Sequence, residues 1–202
     1  MENQQNAWDE LAVPWEENRI DPVEEVIDFL QGKEGHILDL GCGSGRNFTR
    51  IIGTIHAIDF AQNMLNLAKK KANRMGLDVE FTQAEAQKIP YENNYFNAAI
   101  FIDSLHCIKG EDERKKAVKE LFRLLKPGAK AMITVWSRNS DRIKNREKET
   151  EVPWSKDGKK IMRYYYIYEK TELENLFKSV GFEIISSNED KKLILIVKKP
   201  RI

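Results

Sequence analysis

The stretch His36-Ile37-Leu38-Asp39-Leu40-Gly41-Cys42-Gly43-Ser44-Gly45 decides the fold. A short apolar run ending in a glycine cluster reads as a buried strand delivered into a tight turn. Glycines there let the backbone pass close to a ligand. A helix predicted over 44–52 would add the unpaired N–H groups of its first turn. The spacing is Gly-x-Gly-x-Gly, not the Gly-x-Gly-x-x-Gly of a dinucleotide site. No Lys-Ser/Thr pair follows, which excludes a P-loop.

Downstream, Thr54-Ile55-His56-Ala57-Ile58-Asp59 reads as a second strand with an acid at its end. Asp59 stands 18 residues after Gly41, where a carboxylate accepts both hydroxyls of a ribose. Strands and helices then alternate. Helices are predicted over 7–13 and 22–30, with Pro22 in a first turn, and over 61–75. The last carries Met64, Leu65, Ala68, Ala72 and Met75 on one face, with Gly76 as its stop. Strands follow over 77–82, 96–102 and 130–136, with a helix over 111–125 on a Val118, Leu121, Leu124, Leu125 stripe. Pro127-Gly128 is expected to end that helix. A helix opening at Thr171, with Glu174 completing a capping box, closes at Gly181. Two strands over 182–187 and 192–197 then form a hairpin around Asn188-Glu189-Asp190. This order predicts one domain over 1–202, an α/β doubly wound sheet with an antiparallel C-terminal hairpin. Ligands of such sheets bind at the carboxyl ends of the strands.

Composition narrows the classes. A length of 202 residues with 41% hydrophobic content suits one domain with a sizeable core and excludes disorder. Net charge is +1, so no overall field recruits nucleic acid or membrane. Residues 1–34 nevertheless carry ten acids and two bases, which leaves +9 for the rest. Two cysteines, Cys42 and Cys107, support neither a disulfide framework nor a four-ligand zinc site, and no metal is expected. Met1 to Glu10 is acidic and polar, unlike a targeting peptide, and no charge-free stretch is long enough to span a bilayer. A soluble cytoplasmic protein with no membrane partner is expected. Residues 137–168 break the alternation: they are basic yet hold Val152-Pro153-Trp154 and a nearly continuous tyrosine run. An extension of this length is more often functional than idle.

Asp39-x-Gly41-x-Gly43-x-Gly45 after the first strand, with Asp59 ending the second, resembles the signature of class I S-adenosylmethionine-dependent methyltransferases, over about Ala7 to Lys199. The resemblance implies a Rossmann-like, seven-stranded, mostly parallel sheet with S-adenosyl-L-methionine as cofactor. By position, Gly41, Gly43 and Gly45 would line its methionine part and Asp39 would hold its amino group. Asp59 would take the ribose hydroxyls, Phe60 and Met64 would flank the adenine, and Glu85-Ala86 would meet the adenine edge.

The segment Ile102-Asp103-Ser104-Leu105-His106-Cys107 lacks the Asn/Asp-Pro-Pro-Tyr/Phe pattern of amino-group methylation of bases. Neither cysteine lies in a Pro-Cys nucleophile motif, so oxygen methylation remains. A carboxylate acceptor, with a pKa near ~4, is already ionised at neutral pH and needs orienting cations rather than a strong base. Arginine suits that task by its forked donors.

Further motifs narrow the resemblance. Trp8-Asp9-Glu10-Leu11-Ala12, Arg19-Ile20-Asp21-Pro22, His106, Val135-Trp136, Val152-Pro153-Trp154 and Arg163-Tyr164-Tyr165-Tyr166 are together similar to the tRNA wobble-uridine carboxymethyl methyltransferases. Those enzymes esterify 5-carboxymethyluridine in the anticodon loop. The likeness implies that Arg19 and Arg163 clamp the acceptor carboxylate and His106 hydrogen-bonds the uridine or acceptor. It also implies that Trp154, Tyr164 and Tyr165 frame the flipped-out base. Cys107 stands where the family often has a second histidine, Tyr166 where it has a histidine, and Asp103 where it has a small residue. Nine basic against five acidic residues over 138–163 suit a tRNA partner, and the family usually works with a small zinc-binding activator subunit along a sheet edge, for which Leu77 to Phe81 is the expected strand. Two other readings stay open: a small-molecule O-methyltransferase, and a cofactor-binding partner subunit without chemistry.

Overall fold

The computed structural model describes residues 2–156 and 158–201, without the side chains of Glu2, Asn3, Lys156 and Lys159. Asp157, Lys156 and Lys159 belong to the charge count of the expected extension. That residue and those two side chains lie outside the described residues.

Strands apolar on both faces must be covered on both. The central strands meet that condition: β1 (Glu34–Leu40), β2 (Ile52–Asp59) and β4 (Phe96–Ile102) pair in parallel, and β4 pairs in parallel with β5 (Leu125–Trp136). Leu38, Leu40, Ile58, Ala99 and Phe101 share one face, buried with Leu121 and Leu124 of α4 (Glu111–Leu124) and Phe177 of α5 (Lys170–Val180). Ile37, Ala98 and Ile100 share the other, under Val26 and Leu30 of α2 (Glu24–Leu30). Beside them Ile55 and Ala57 meet Leu65, Ala68 and Ala72 of α3 (Gln62–Met75). Each large apolar side chain fully buried this way contributes about 1.5–3 kcal/mol.

With β3 (Val79–Gln83), β8 (Glu183–Glu189) and β9 (Lys192–Lys198), the sheet has seven strands in the order β3-β2-β1-β4-β5-β9-β8. β9 runs antiparallel to both β5 and β8, so the C-terminal hairpin extends an otherwise parallel sheet. β3 is an edge strand, as expected. The order reverses between β1 and β4, so Leu40, Asp59 and Ile102 end at one crevice. Over it lie α1 (Glu2–Glu17) and a separate two-stranded hairpin of β6 (Glu149–Lys156) and β7 (Lys159–Tyr166). No helix among the described residues is long and apolar enough to cross a membrane.

Several expectations are corrected. Residues 44–52 form no helix: the chain after Gly43 makes turns and an extended segment into β2. The physical reason is reach. Eleven residues must return along a seven-residue strand of about 23 Å, and at ~1.5 Å per residue a helix falls short. Pro22 precedes α2 rather than opening it, since Val23 is the N-cap. Met75 is exposed, because α3 is already ending at the left-handed Gly76. Pro127 and Gly128 lie inside β5, which begins directly at the end of α4. The capping box of α5 forms at Glu169 and Glu172, two residues before the expected pair. Asn188 and Glu189 continue β8 rather than forming the hairpin turn. Within the 137–168 extension, Val152, Tyr165 and Ile167 pack on Trp8, Ala61, Met64 and Trp136.

Candidate active site

A cavity of about 680 Å³ opens at the carboxyl ends of β1, β2 and β4. Its floor is the glycine turn. Gly41 and Cys42 donate their N–H groups to Ile58 O at 2.7 and 3.0 Å, which fastens the turn to β2. Gly41 has φ +69, and a Cβ there would meet Ser104 Oγ at 2.3 Å, so only glycine fits. Ser104 Oγ lies 3.1 Å from Gly41 O and ties the turn to the end of β4. Gly43 faces the cavity, and the nearest atoms to a Cβ there would be Trp15 Nε1 and Met64 Sδ, at 3.9 and 4.0 Å. Gly45 does not line the cavity; its close neighbour is the Phe48 ring, so its smallness serves packing. The backbone here is a turn and not a helix, and the N–H groups of Gly41, Cys42, Gly43 and Gly45 already have acceptors within the protein.

Two buried carboxyls flank this turn. Asp59 accepts from Gly43 N at 2.8 Å through Oδ2 and from Ala61 N at 2.9 Å through Oδ1. Burial raises its pKa to about 6, against the lowering pull of those backbone N–H groups. Each oxygen keeps a further lone pair, and Asp59 lines the cavity. Asp39 lies beneath the cavity wall, 2% exposed, and its Oδ2 has no hydrogen-bond partner. Burial, then the charge of Asp59, lift its pKa to about 8. An orphaned buried carboxyl oxygen awaits a donor, and a cationic amino group at the glycine turn would supply one. Phe60, Met64, Glu85 and Ala86 also line the cavity.

Opposite the turn, α1 closes the space with Gln4, Gln5, Trp8 and Trp15. Gln5 Nε2 donates to Phe60 O at 2.9 Å, and Asp9 Oδ1 accepts from Asn63 N at 2.7 Å, so α1 is strapped to the start of α3. Tyr164 of β7 lines the cavity, donates its backbone N–H to Gln4 Oε1 and accepts from Arg114 at its hydroxyl.

Arg163, Tyr165, Trp154 and His106 do not line the cavity but stand behind it. Arg163 is 3% exposed, inside a ring of Trp8, Trp15, Trp154 and Tyr165 whose centroids lie 5.1–5.7 Å from its Cζ. It donates from Nη1 to Tyr165 Oη at 2.7 Å, and its buried Nε has no hydrogen-bond partner. Tyr165 packs against His106 at 4.8 Å and Trp136 at 5.0 Å. His106 is buried with neither ring nitrogen bonded, and burial lowers its pKa to about 4, so it is neutral at pH 7. Arg19 stacks on Trp15 at 4.9 Å.

Sequence reasoning missed Trp8 and Trp15 as cavity residues, along with Arg46 and Asp103. Asp103 directly follows β4 at φ 52; its Oδ1 accepts from Thr134 Oγ1 and its Oδ2 pairs with Lys192 at 2.5 Å. Burial works to raise its pKa, but Lys192, His106 and the hydrogen bonds outweigh it and hold the carboxylate ionised. Aspartate is among the non-glycine residues that tolerate a positive φ, but nothing in the sequence marks this one as adopting it. Among the described residues no cluster of three or more His, Cys, Asp or Glu is arranged to hold a metal ion.

Residues 37–128 match the family model of the methyltransferase domain. The chain is 27% identical over 183 residues to a candidate methyltransferase of Encephalitozoon cuniculi, covering 86% of this chain and 82% of that one. It is 34% identical over 122 residues to the ubiquinone/menaquinone biosynthesis C-methyltransferase of Vibrio cholerae, covering 56% of this chain and 46% of that protein. It is 30% identical over 139 residues to a tRNA (carboxymethyluridine(34)-5-O)-methyltransferase of Arabidopsis thaliana, covering 67% of this chain and 33% of that one. The chain therefore spans less than half the length of the latter two relatives. A Methanosarcina mazei S-adenosylmethionine-dependent methyltransferase superposes with a TM-score of 0.73 at 22% identity, over 90% of this chain and 100% of that one. Sheet order and glycine turn agree with these likenesses, and the fold is that of the class I methyltransferases.

Proposed function

We propose that this chain transfers a methyl group to the carboxylate of 5-carboxymethyluridine, or a related wobble uridine, in a tRNA anticodon loop. The observation that carries the reading is the aromatic and arginine cluster beside the cavity, in which Trp8, Trp154, Arg163 and Tyr165 come from the motifs that are similar to the wobble-uridine enzymes, with Trp15 packed among them. The likeness to the Arabidopsis tRNA methyltransferase supports it.

S-adenosylmethionine, when bound, supplies an electrophilic methyl group. Asp59 would hold its ribose, Asp39 its amino group, Phe60 and Met64 its adenine faces, and Glu85 with Ala86 the adenine edge. An acceptor carboxylate carries its own negative charge, so the neutral His106 is not needed as a base. Cations orient that carboxylate: Arg19 and Arg163 both address Trp15, the indole at the cavity wall. Residues of α1 and Tyr164 of β7 border the cavity from above. Tyr164 is the member of the tyrosine run placed to touch a base, while Tyr165 and Trp154 support it from behind. A small zinc-binding activator pairing with edge strand β3 is part of the proposal.

The experiment is transfer to tRNA bearing 5-carboxymethyluridine with Arg163→Ala and Arg19→Ala beside the wild type. Loss of transfer with cofactor affinity retained supports the reading. The likeness to a C-methyltransferase of quinone biosynthesis favours a second reading, a small-molecule acceptor. That reading expects turnover without RNA and little dependence on Arg163.

A further inference from the structure

Among the described residues, Arg46 and Lys109 are the cationic side chains that line the cavity, and Arg46 is the one at the glycine turn. It directly follows the glycine triplet, between the cavity-lining Ser44 and Asn47. Its Nε donates to Asp21 O at 2.6 Å, which holds the guanidinium against the link between α1 and α2, the segment that carries Arg19. Lys71 Nζ reaches both Ile20 O and Arg46 O at 3.5 Å, so the same link and loop are joined from α3 as well. Arg19 in turn lies on Trp15, another cavity-wall residue. Burial lowers the pKa of Arg46, and the charge of Arg19 lowers it further, while Asp103 and Asp21 pull the other way. Arg46 is thus fastened to the segment that carries Arg19, and Arg19 lies on a cavity-wall indole, so an anion at this end of the cavity would be met by guanidinium groups from both.

We propose that Arg46, together with Arg19, forms a carboxylate subsite on the glycine-turn side of the cavity. The proposal rests on the methyltransferase reading and deepens it. Two carboxylates reach such a site in that chemistry, that of the cofactor's amino-acid part and that of the acceptor. Arginine's planar fork takes either one in the same bidentate way. Arg163, caged behind the cavity, would hold the Trp15 wall on which Arg19 also lies and so act on the same carboxylate from behind.

The test compares binding of S-adenosylhomocysteine with binding of its decarboxylated analogue, the same molecule lacking only the carboxylate, by calorimetry on wild type and Arg46→Gln. If the subsite holds the cofactor, Arg46→Gln weakens S-adenosylhomocysteine by about tenfold or more, the loss expected for a bond to a charged group, and leaves the decarboxylated analogue unchanged. If it holds the acceptor, both nucleosides bind as before and the KM for carboxymethyluridine tRNA rises about tenfold with kcat retained. Arg19→Gln, on a different segment, should repeat whichever pattern is found, and Arg46→Lys should restore part of it. Equal weakening of both nucleosides overturns the subsite, as does no change in either nucleoside or in KM. Should no tRNA be turned over at all, the nucleoside comparison alone decides, with unchanged S-adenosylhomocysteine binding overturning the subsite.

Discussion

Arg19 and Arg163 address the same indole: their Cζ atoms lie 4.9 and 5.6 Å from the Trp15 ring. The two arginines are 144 residues apart in the chain, one between α1 and α2 and the other on β7. Trp15 also touches Trp8 and Trp154, at 5.1 and 5.6 Å, so the N-terminal helix and the 137–168 extension are one structural unit over the cofactor cavity. Positive charge is thereby gathered on an aromatic wall, where a partly desolvated cation–π contact is worth about 0.5–2 kcal/mol.

The Arg163–Tyr165 bond is a point where the cage is expected to fail. Tyr165→Phe removes the acceptor of a 2.7 Å bond from a buried guanidinium whose Nε already has no partner. The expected cost is about 1.5–3 kcal/mol of unfolding free energy, read by urea denaturation. A cost near zero would mean that Arg163 finds another acceptor.

Asp59→Ala should weaken cofactor binding by about 1.5–3 kcal/mol, measured by calorimetry. The effect combines lost ribose contacts with a loosened glycine turn, since Asp59 also accepts from Gly43 and Ala61. Unchanged affinity would remove Asp59 from the site.

Asp39 makes a pH-dependent prediction with a fixed sign. Its folded pKa, about 8, lies above the ordinary carboxylate value, so between about pH 4 and pH 8 the folded state holds a proton that the unfolded state has lost. Its contribution therefore opposes folding increasingly as pH rises through that window. Asp39→Asn should raise the Tm of the cofactor-free protein at pH 8 relative to wild type, by a few degrees at about 2–4 °C per kcal/mol, and the gain should vanish near pH 4. The same variant should bind S-adenosylmethionine less tightly. A Tm difference independent of pH would contradict the assignment.

His106 carries the opposite sign. Its folded pKa, about 4, lies below the ordinary value, so the stability it contributes above about pH 6.5 is lost as pH falls toward 4. NMR of the ring nitrogens should show no protonation at pH 5.5. A midpoint near 6.5 would place His106 in contact with water or an anion.

Much of this architecture was legible in the chain because local signals and burial agree. β4 falls over 96–102 as expected, and α3 ends at Gly76 in the left-handed conformation that the residue allows. The glycine turn and Asp59 were legible for the same reason, since strand, turn and terminal acid are contiguous signals. The missing helix after Gly45 was not legible: Asn47 to Ile51 carry ordinary side chains, and the span that the chain must cross depends on strand length in the fold. The cavity roof was also hidden. Trp8 and Trp15 lie on a helix whose spacing reads as core packing, and only the fold of α1 across the glycine turn turns them toward a ligand. The tyrosine run divided in a way alternation alone foretells but cannot orient. Tyr164 faces the cavity, and Tyr165 faces the cluster of Trp136 and His106.

The measurement that tests the central claim most directly is methyl transfer from labelled S-adenosylmethionine to bulk tRNA carrying 5-carboxymethyluridine, with and without the activator subunit, followed by nucleoside analysis. The account predicts an alkali-labile methyl ester on the wobble uridine. Measurable cofactor binding with no transfer to tRNA, even with the activator present, would contradict it.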